Sequence, residues 1–215
     1  MTTVEDIAQL ALKRAIAEGA SEAEAYVRKV TTTTVKSLGN RIESISSGVR
    51  IELALRVVVG KKVSIYGAVV AETRDVDEIA RYAVKMARSA PEDPQWKSLP
   101  RSLGRSSVER IYDQSIAELD VEEYSRSLCN ALNAVSEGDR RSRPTHSTTT
   151  FTVVERFIVN THSGGVSDAS TLFILFAGAQ ARENSEEAGY YDMMVSRRLA
   201  EVDLENFMKE LGRRA

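Results

Sequence analysis

The chain has one cysteine, four prolines and two histidines in 215 residues, and aromatics make up only 6% of it. The single cysteine, Cys129, cannot close an internal disulfide, which fits a reducing compartment and points to the cytoplasm. No apolar run approaches the roughly 20 residues that a membrane-spanning helix needs. The start, Met1-Thr2-Thr3-Val4-Glu5-Asp6, has neither the basic region nor the apolar core of a secretory signal. An excess of one charge is missing too: 29 Lys and Arg against 31 Asp and Glu leave a net charge of −2. No basic block is long enough for a nucleic-acid tail, and the densest spot, Arg140-Arg141-Ser142-Arg143, reads as a solvated loop. With 42% hydrophobic and 28% charged residues, the composition is that of a soluble globular protein of one large or two small domains.

Catalytic signatures are absent as well. A helix-borne metallopeptidase site needs two histidines one turn apart with a glutamate beside one of them. Here His146 and His162 have fifteen residues between them, each is flanked by hydroxyl residues, and neither has a carboxylate at helical spacing. Two imidazoles alone, even if they met across a hairpin, make a poor zinc site. No Gly-x-Ser-x-Gly turn surrounds any serine. Ser163-Gly164-Gly165 does not precede a helix and reads as a hairpin turn, not a phosphate loop. The acidic pairs Glu122-Glu123 and Glu186-Glu187 read as a solvated helix start and a polar loop. The residues nominate no catalytic, cofactor-binding or metal-binding position.

Periodicity is what the chain has in plenty. From Val49 to Val59 every odd position is apolar, the period-two pattern of a strand with one buried face. Gly60-Lys61-Lys62 breaks the run, and Val63, Ile65, Gly67 and Val69 resume it, so the stretch reads as an antiparallel hairpin. Six covered side chains on its first strand would contribute on the order of 10 kcal/mol, so helices must lie over that face.

Those helices are readable on either side. Val4 to Glu18 spaces Ile7, Ala8, Ala11, Leu12 and Ala15 by threes and fours, capped by Thr3 with Asp6 and stopped by Gly19. Val76 to Ser89 repeats the stripe behind Asp75-Val76-Asp77-Glu78, which has the form of a capping box. Between them, β-branched Glu22 to Leu38 favours a long strand, and Ile42 with Ile45 a short one ending at Ser46-Ser47-Gly48. Residues 91–110 hold three prolines, Gly104 and several serines, and read as a connector anchored by Trp96 and Leu99.

After the connector, Asp120-Val121-Glu122-Glu123 opens another helix, on which Cys129 is a small core or flank residue. Ser147 to Val159 and Val166 to Ala179 form a second hairpin with longer strands. In the latter strand both faces are apolar, Phe173 and Leu175 on one, Leu172, Ile174 and Phe176 on the other, as if helices or another subunit covered each. Gly189 to Leu199 reads as a further strand, and Asp203 caps a last helix that lacks a Gly or Pro stop. The fold class is therefore α+β, with antiparallel hairpins in one or two sheets and helices packed on one face.

The block Leu53-Ala54-Leu55-Arg56-Val57-Val58-Val59-Gly60-Lys61-Lys62-Val63-Ser64-Ile65-Tyr66-Gly67 resembles the N-terminal domain of the TldD/PmbA (TldE) family, long labelled modulators of DNA gyrase. Ala17-Glu18-Gly19-Ala20-Ser21 running on to Val27, and Gly39-Asn40-Arg41-Ile42-Glu43-Ser44, resemble the same domain upstream. Ser89-Ala90-Pro91 to Pro100 is similar to the proline-rich connector of the PmbA branch, and Tyr112-Asp113 and Ser196-Arg197-Arg198-Leu199 with Asp203 fall in that branch's order. The resemblance covers nearly all of 1–215, as a helix–strands–helix unit (1–90), a connector (91–110) and a helix with a second hairpin and terminal helix (111–215).

The resemblance implies half of a zinc metallopeptidase assembly acting on unfolded or modified peptides. In the family the TldD-type subunit carries a His-Glu-x-x-x-His motif and zinc in a C-terminal domain, while the PmbA/TldE-type subunit pairs with it without metal ligands. That motif and that domain are both missing from this sequence, so no family ligand carries over and no cofactor is expected on this chain, zinc belonging to the partner. The expected role is dimerisation, with a TldD-type subunit or itself, and shaping a chamber for peptide substrate, with neither nucleic acid nor membrane as partner. The chain then reads either as an excised N-terminal piece or as a naturally short member, and the unsignalled end of the last helix points to the former. A different class of reading is a stand-alone peptide-interaction module using hydroxyl-rich sheet edges around Thr31 to Val35 or Thr145 to Thr150. A third, direct nucleic-acid binding, is disfavoured by the charge of −2.

Overall fold

In the computed structural model, which describes residues 3–215, the first helix (α1, Val4–Ala17) begins where its cap chemistry places it. The Thr3 hydroxyl accepts from the Asp6 N–H at 3.1 Å and the Asp6 carboxylate accepts from the Thr3 N–H at 2.9 Å, two otherwise orphaned donors satisfied at once. A 17-residue strand (β1, Glu22–Leu38) follows, then β2 (Arg41–Val59), β3 (Lys62–Val69) and α2 (Thr73–Ser89). Gly48 does not divide β2 as the sequence suggested; backbone pairing carries the strand straight through it. The cap of α2 also differs. Asp75 is the third residue of the helix rather than its cap, and its carboxylate reaches back to the Ala71 and Glu72 N–H groups at 2.7 and 2.9 Å.

No regular element spans Ala90 to Asp113 apart from a single bridge at Glu92, and the connector read from the prolines is there. Leu99 in it is 2% exposed. Beyond it come α3 (Gln114–Ala117), α4 (Val121–Asn133) and α5 (Val135–Gly138), then the long hairpin of β4 (Ser142–Asn160) and β5 (Ser163–Glu183). Both strands outrun their sequence-based limits, because the turn is tighter than the glycines implied. Thr161 and His162 alone separate the strands, and the Asn160 side-chain oxygen accepts from the N–H groups of His162 and Ser163 at 2.8 and 2.9 Å. Ser163-Gly164-Gly165 is strand, not turn. Gly165 is required there because the Phe157 ring occupies the place where its Cβ would stand. The chain ends with β6 (Glu186–Ser196), a short 3-10 turn at Leu199–Glu201, and α6 (Leu204–Arg214), capped by Asp203.

The strands form one six-stranded antiparallel sheet in the order β3-β2-β1-β4-β5-β6. Thr31 to Val35 and Thr145 to Thr150 therefore lie on the two central strands. Their backbone groups are already paired, which removes the exposed edges proposed for them. The true edges are β3 and β6.

By contact the chain resolves into two compact units, each built from three segments. The first takes the chain to Val30, with Val49–Val108 and Val154–Ala169. In it α1 and α2 cover odd-numbered positions, Ala23, Ala25 and Val27 of β1, Leu53, Leu55 and Val57 of β2, and Phe157 and Val159 of β4. The helices meet the sheet and each other through alanines, Ala8, Ala11 and Ala15 on one and Ala80, Ala83 and Ala87 on the other, all buried.

The second unit comprises Thr31–Gly48, Glu109–Val153 and Ser170–Ala215. Its core again takes odd positions, Val35, Phe151, Phe173, Leu175, Ala177 and Ala179, here under α4 and α6 through Leu128, Leu132, Met208 and Leu211. Phe151, Phe173 and Tyr124 pack edge to face, with centroids 4.7 to 6.3 Å apart. Two hydroxyl pairs are buried among them, Ser37 with Ser147 at 2.7 Å and Tyr124 with Thr149 at 2.8 Å. Burial pushes the Tyr124 phenol up, against the pull of its bond to Thr149, so it stays protonated and structural.

Candidate functional site

The two histidines fall in different units: His146 stands near the start of β4, in the second, and His162 just past its end, in the first. In the first unit, His162 Nε2 lies 3.4 Å from the Glu22 carboxylate. That carboxylate also accepts the Leu99 N–H at 2.7 Å and the Ser98 hydroxyl at 3.3 Å, while the Asn160 amide donates to the Pro100 carbonyl at 2.9 Å. This knot pins the connector to the hairpin turn. His162 is part of it.

His146 has rings for neighbours. Its centroid is 5.9 Å from that of Phe176 and 5.6 Å from that of Tyr191, and those two rings stack at 5.9 Å with planes 5° apart. The register of β5 with β6 explains the arrangement. Phe176 pairs with Met193, Ile174 with Val195 and Gly178 with Tyr191, so these side chains share one face, opposite the core positions Phe173, Leu175 and Ala177. A Cβ at Gly178 would collide with the Tyr191 ring; glycine lets that ring lie flat across the strand. Phe176, Tyr191, Met193 and Val195 are 39%, 54%, 58% and 53% exposed.

This face is only half anticipated by the sequence. Both faces of β5 do carry large apolar groups, yet within this chain helices cover one of them and the other stays open. The matching alternation in β6, Tyr191, Met193 and Val195, is the signal that could have located it.

Elsewhere, the acidic and basic clusters are accounted for internally. Arg141 binds Asp139 at 2.7 Å and Glu183 at 2.6 Å, and the Arg141 guanidinium holds the Asp139 carboxyl down at about 2. Glu122 and Glu123 lie in the first turn of α4, where their N–H groups donate to Asp120. Glu186 and Glu187 belong to β6 rather than to a loop, and Glu187 pairs with Arg182 and Gln180. Cys129 is a half-buried flank residue of α4.

Comparison with known proteins supplies the family context. Residues 23–89 match the model of PmbA/TldA metallopeptidase domain 1. The TldD/PmbA resemblance carried by the motifs holds. Three solved structures share the fold: TldE from Thermococcus kodakarensis (TM-score 0.74, 19% identity, covering 98% of this chain and 46% of that one), and candidate DNA gyrase modulators from Thermotoga maritima (TM-score 0.74, 16%, 99% and 47%) and Bacteroides thetaiotaomicron (TM-score 0.72, 16%, 100% and 50%). The chain thus spans about half the length of each. No curated protein matches it.

A metallopeptidase relation raises the question of a metal on this chain, and the donor sets answer it. His146 has the Phe176 and Tyr191 rings and the Thr145 hydroxyl for neighbours, and it belongs to no cluster of metal-ligating groups among the described residues. His162 and Glu22 offer two donors, and the Glu22 carboxylate is already engaged by Leu99 and Ser98. Among the described residues no group of three or more His, Cys, Asp or Glu could hold a metal ion. The residues present do not fit zinc. No helix of the described residues is long and apolar enough to cross a membrane.

Proposed function

We propose that this chain is the N-terminal part of a TldE/PmbA-like subunit that works without catalysing, in a zinc metallopeptidase assembly acting on unfolded or modified peptides. The observation that carries the reading is the match of residues 23–89 to domain 1 of a metallopeptidase family, within a fold that accounts for about half of a TldE chain. The chemistry of the residues agrees with a supporting role, since neither imidazole sits in a set of groups able to activate water. The contribution is then structural: pairing with a TldD-type subunit that brings the zinc, and walling a space for peptide with the sheet. A cytoplasmic setting follows from that role and from the lone cysteine.

The test is peptide hydrolysis by this chain alone and mixed with a TldD-type subunit, each with and without a zinc chelator. The expected result is silence alone and chelator-sensitive cleavage in the mixture, faster than by the TldD-type subunit on its own. Chelator-sensitive cleavage by this chain alone would overturn the reading.

A further inference from the structure

The open apolar face of the second unit leads into a basic cleft. Leu172 and Val195 lie at the end of the face away from Tyr191, and they form the apolar floor of a cleft of roughly 490 Å³ whose rim carries Arg110, Arg197 and Arg198. One carboxylate faces these three cations: Glu201, which pairs with Arg110 at 3.1 Å. Arg197 spends one N–H on the Thr171 carbonyl at 3.1 Å. The Arg198 guanidinium, on a half-buried residue, has no ion-pair partner among the described residues. An apolar track thus ends at two arginines, Arg197 and Arg198, that form no ion pair among the described residues, the cleft's one carboxylate being paired with Arg110. Planar guanidinium forks suit a carboxylate, which they can bind with paired hydrogen bonds.

We infer that this track binds the C-terminal end of an extended apolar peptide, with its carboxylate on Arg197 and Arg198 and its side chains along Leu172, Ile174, Phe176, Tyr191, Met193 and Val195. Peptide as the ligand class rests on the function proposed above; the carboxylate-end recognition is additional to it. Charge complementarity selects this occupant, because a purely apolar partner would leave the arginines buried and unpaired. The distance from Tyr191 to Val195, about 13 Å along an extended strand, accommodates about four peptide residues.

The experiment is fluorescence anisotropy of the full chain with an N-terminally labelled hexapeptide of alternating leucine, phenylalanine and valine, as free acid and as C-terminal amide. The free acid is expected to bind about tenfold more tightly than the amide, the worth of one charge-assisted contact. R198Q removes that difference without weakening the amide, and M193S weakens both peptides equally. Equal binding of acid and amide overturns the inference, as does binding of neither. Displacement of the acid by an equal concentration of inorganic phosphate overturns it too, since the cleft would then be a plain anion site. Co-purification with a TldD-type subunit is measured beside it: association without acid-selective binding defeats this inference alone, and acid-selective binding without association defeats the subunit reading alone.

Discussion

The two units leave very different sheet faces to solvent. In the first, the even positions of β1 and β2 carry charges that satisfy one another: Arg28 with Glu52 at 2.5 Å, Arg50 with Glu52 at 2.8 Å, Arg56 with Glu24 at 3.3 Å. The large apolar groups still exposed on its strands are scattered: Tyr26 on β1, Val49 on β2, and Ile65 and Val69 on the edge strand β3. In the second, the corresponding face carries the stacked Phe176 and Tyr191 rings and the Met193 thioether. A helix-covered sheet needs only one apolar face to fold, and the first unit shows the ordinary way of dressing the other. The second unit departs from that, and the exposed apolar surface it carries is the feature on which the peptide proposal rests.

That contrast can be broken by substitutions that separate folding from the open face. The largest effect is expected for Phe173→Ala, which removes a ring 0% exposed and wedged against Phe151 and Tyr124. It should cost about 3–5 kcal/mol in denaturant unfolding. Phe176→Ala, three residues on and facing the other way, should cost under about 1 kcal/mol. Equal losses would mean that the open face is part of the core. Next come Gly165→Ala and Tyr124→Phe. The first must displace the Phe157 ring, at about 1–3 kcal/mol; the second leaves the buried Thr149 hydroxyl without its partner, again at about 1–3 kcal/mol.

Smaller effects belong to the charged surface. A double-mutant cycle on Arg28 and Glu52 should give a coupling of about 0.2–1 kcal/mol that shrinks with salt, since both side chains are partly solvated. The smallest is a pH effect. Asp139, lowered from 3.8 to about 2 by Arg141, favours the fold fully above pH 4. Its contribution fades as the pH falls from about 4 towards 2, and Asp139→Asn should flatten that part of the acid-unfolding curve.

Much of the architecture was readable because it follows from local chemistry. The alternation of Leu53, Leu55 and Val57, the Thr3/Asp6 box and the caps Asp120 and Asp203 each act within a few residues. Strand order did not follow, because β1 pairs with β4 across more than a hundred residues that no local pattern links. That is why the threonine runs read as edges from sequence alone. The position of the turn after Asn160 does not follow either: glycines usually mark turns, but Gly165 answers to a ring eight residues back in the chain. The open face was half visible in Leu172, Ile174 and Phe176. Its completion by Tyr191, Met193 and Val195 depends on the β5–β6 register, and the arginine cleft depends on how the chain turns after β6.

Adjacent methionines offer the most direct test of the contrast between a folded face and a working one. Met193 is 58% exposed on the open face, while Met194 packs against the core of the second unit. Peroxide oxidation followed residue by residue by mass spectrometry should convert Met193 many times faster than Met194 in the chain alone. Saturation with the free-acid peptide should bring the two rates together. Comparable rates in the free chain, or a Met193 rate indifferent to bound peptide, would contradict the claim that this face is left open for a ligand.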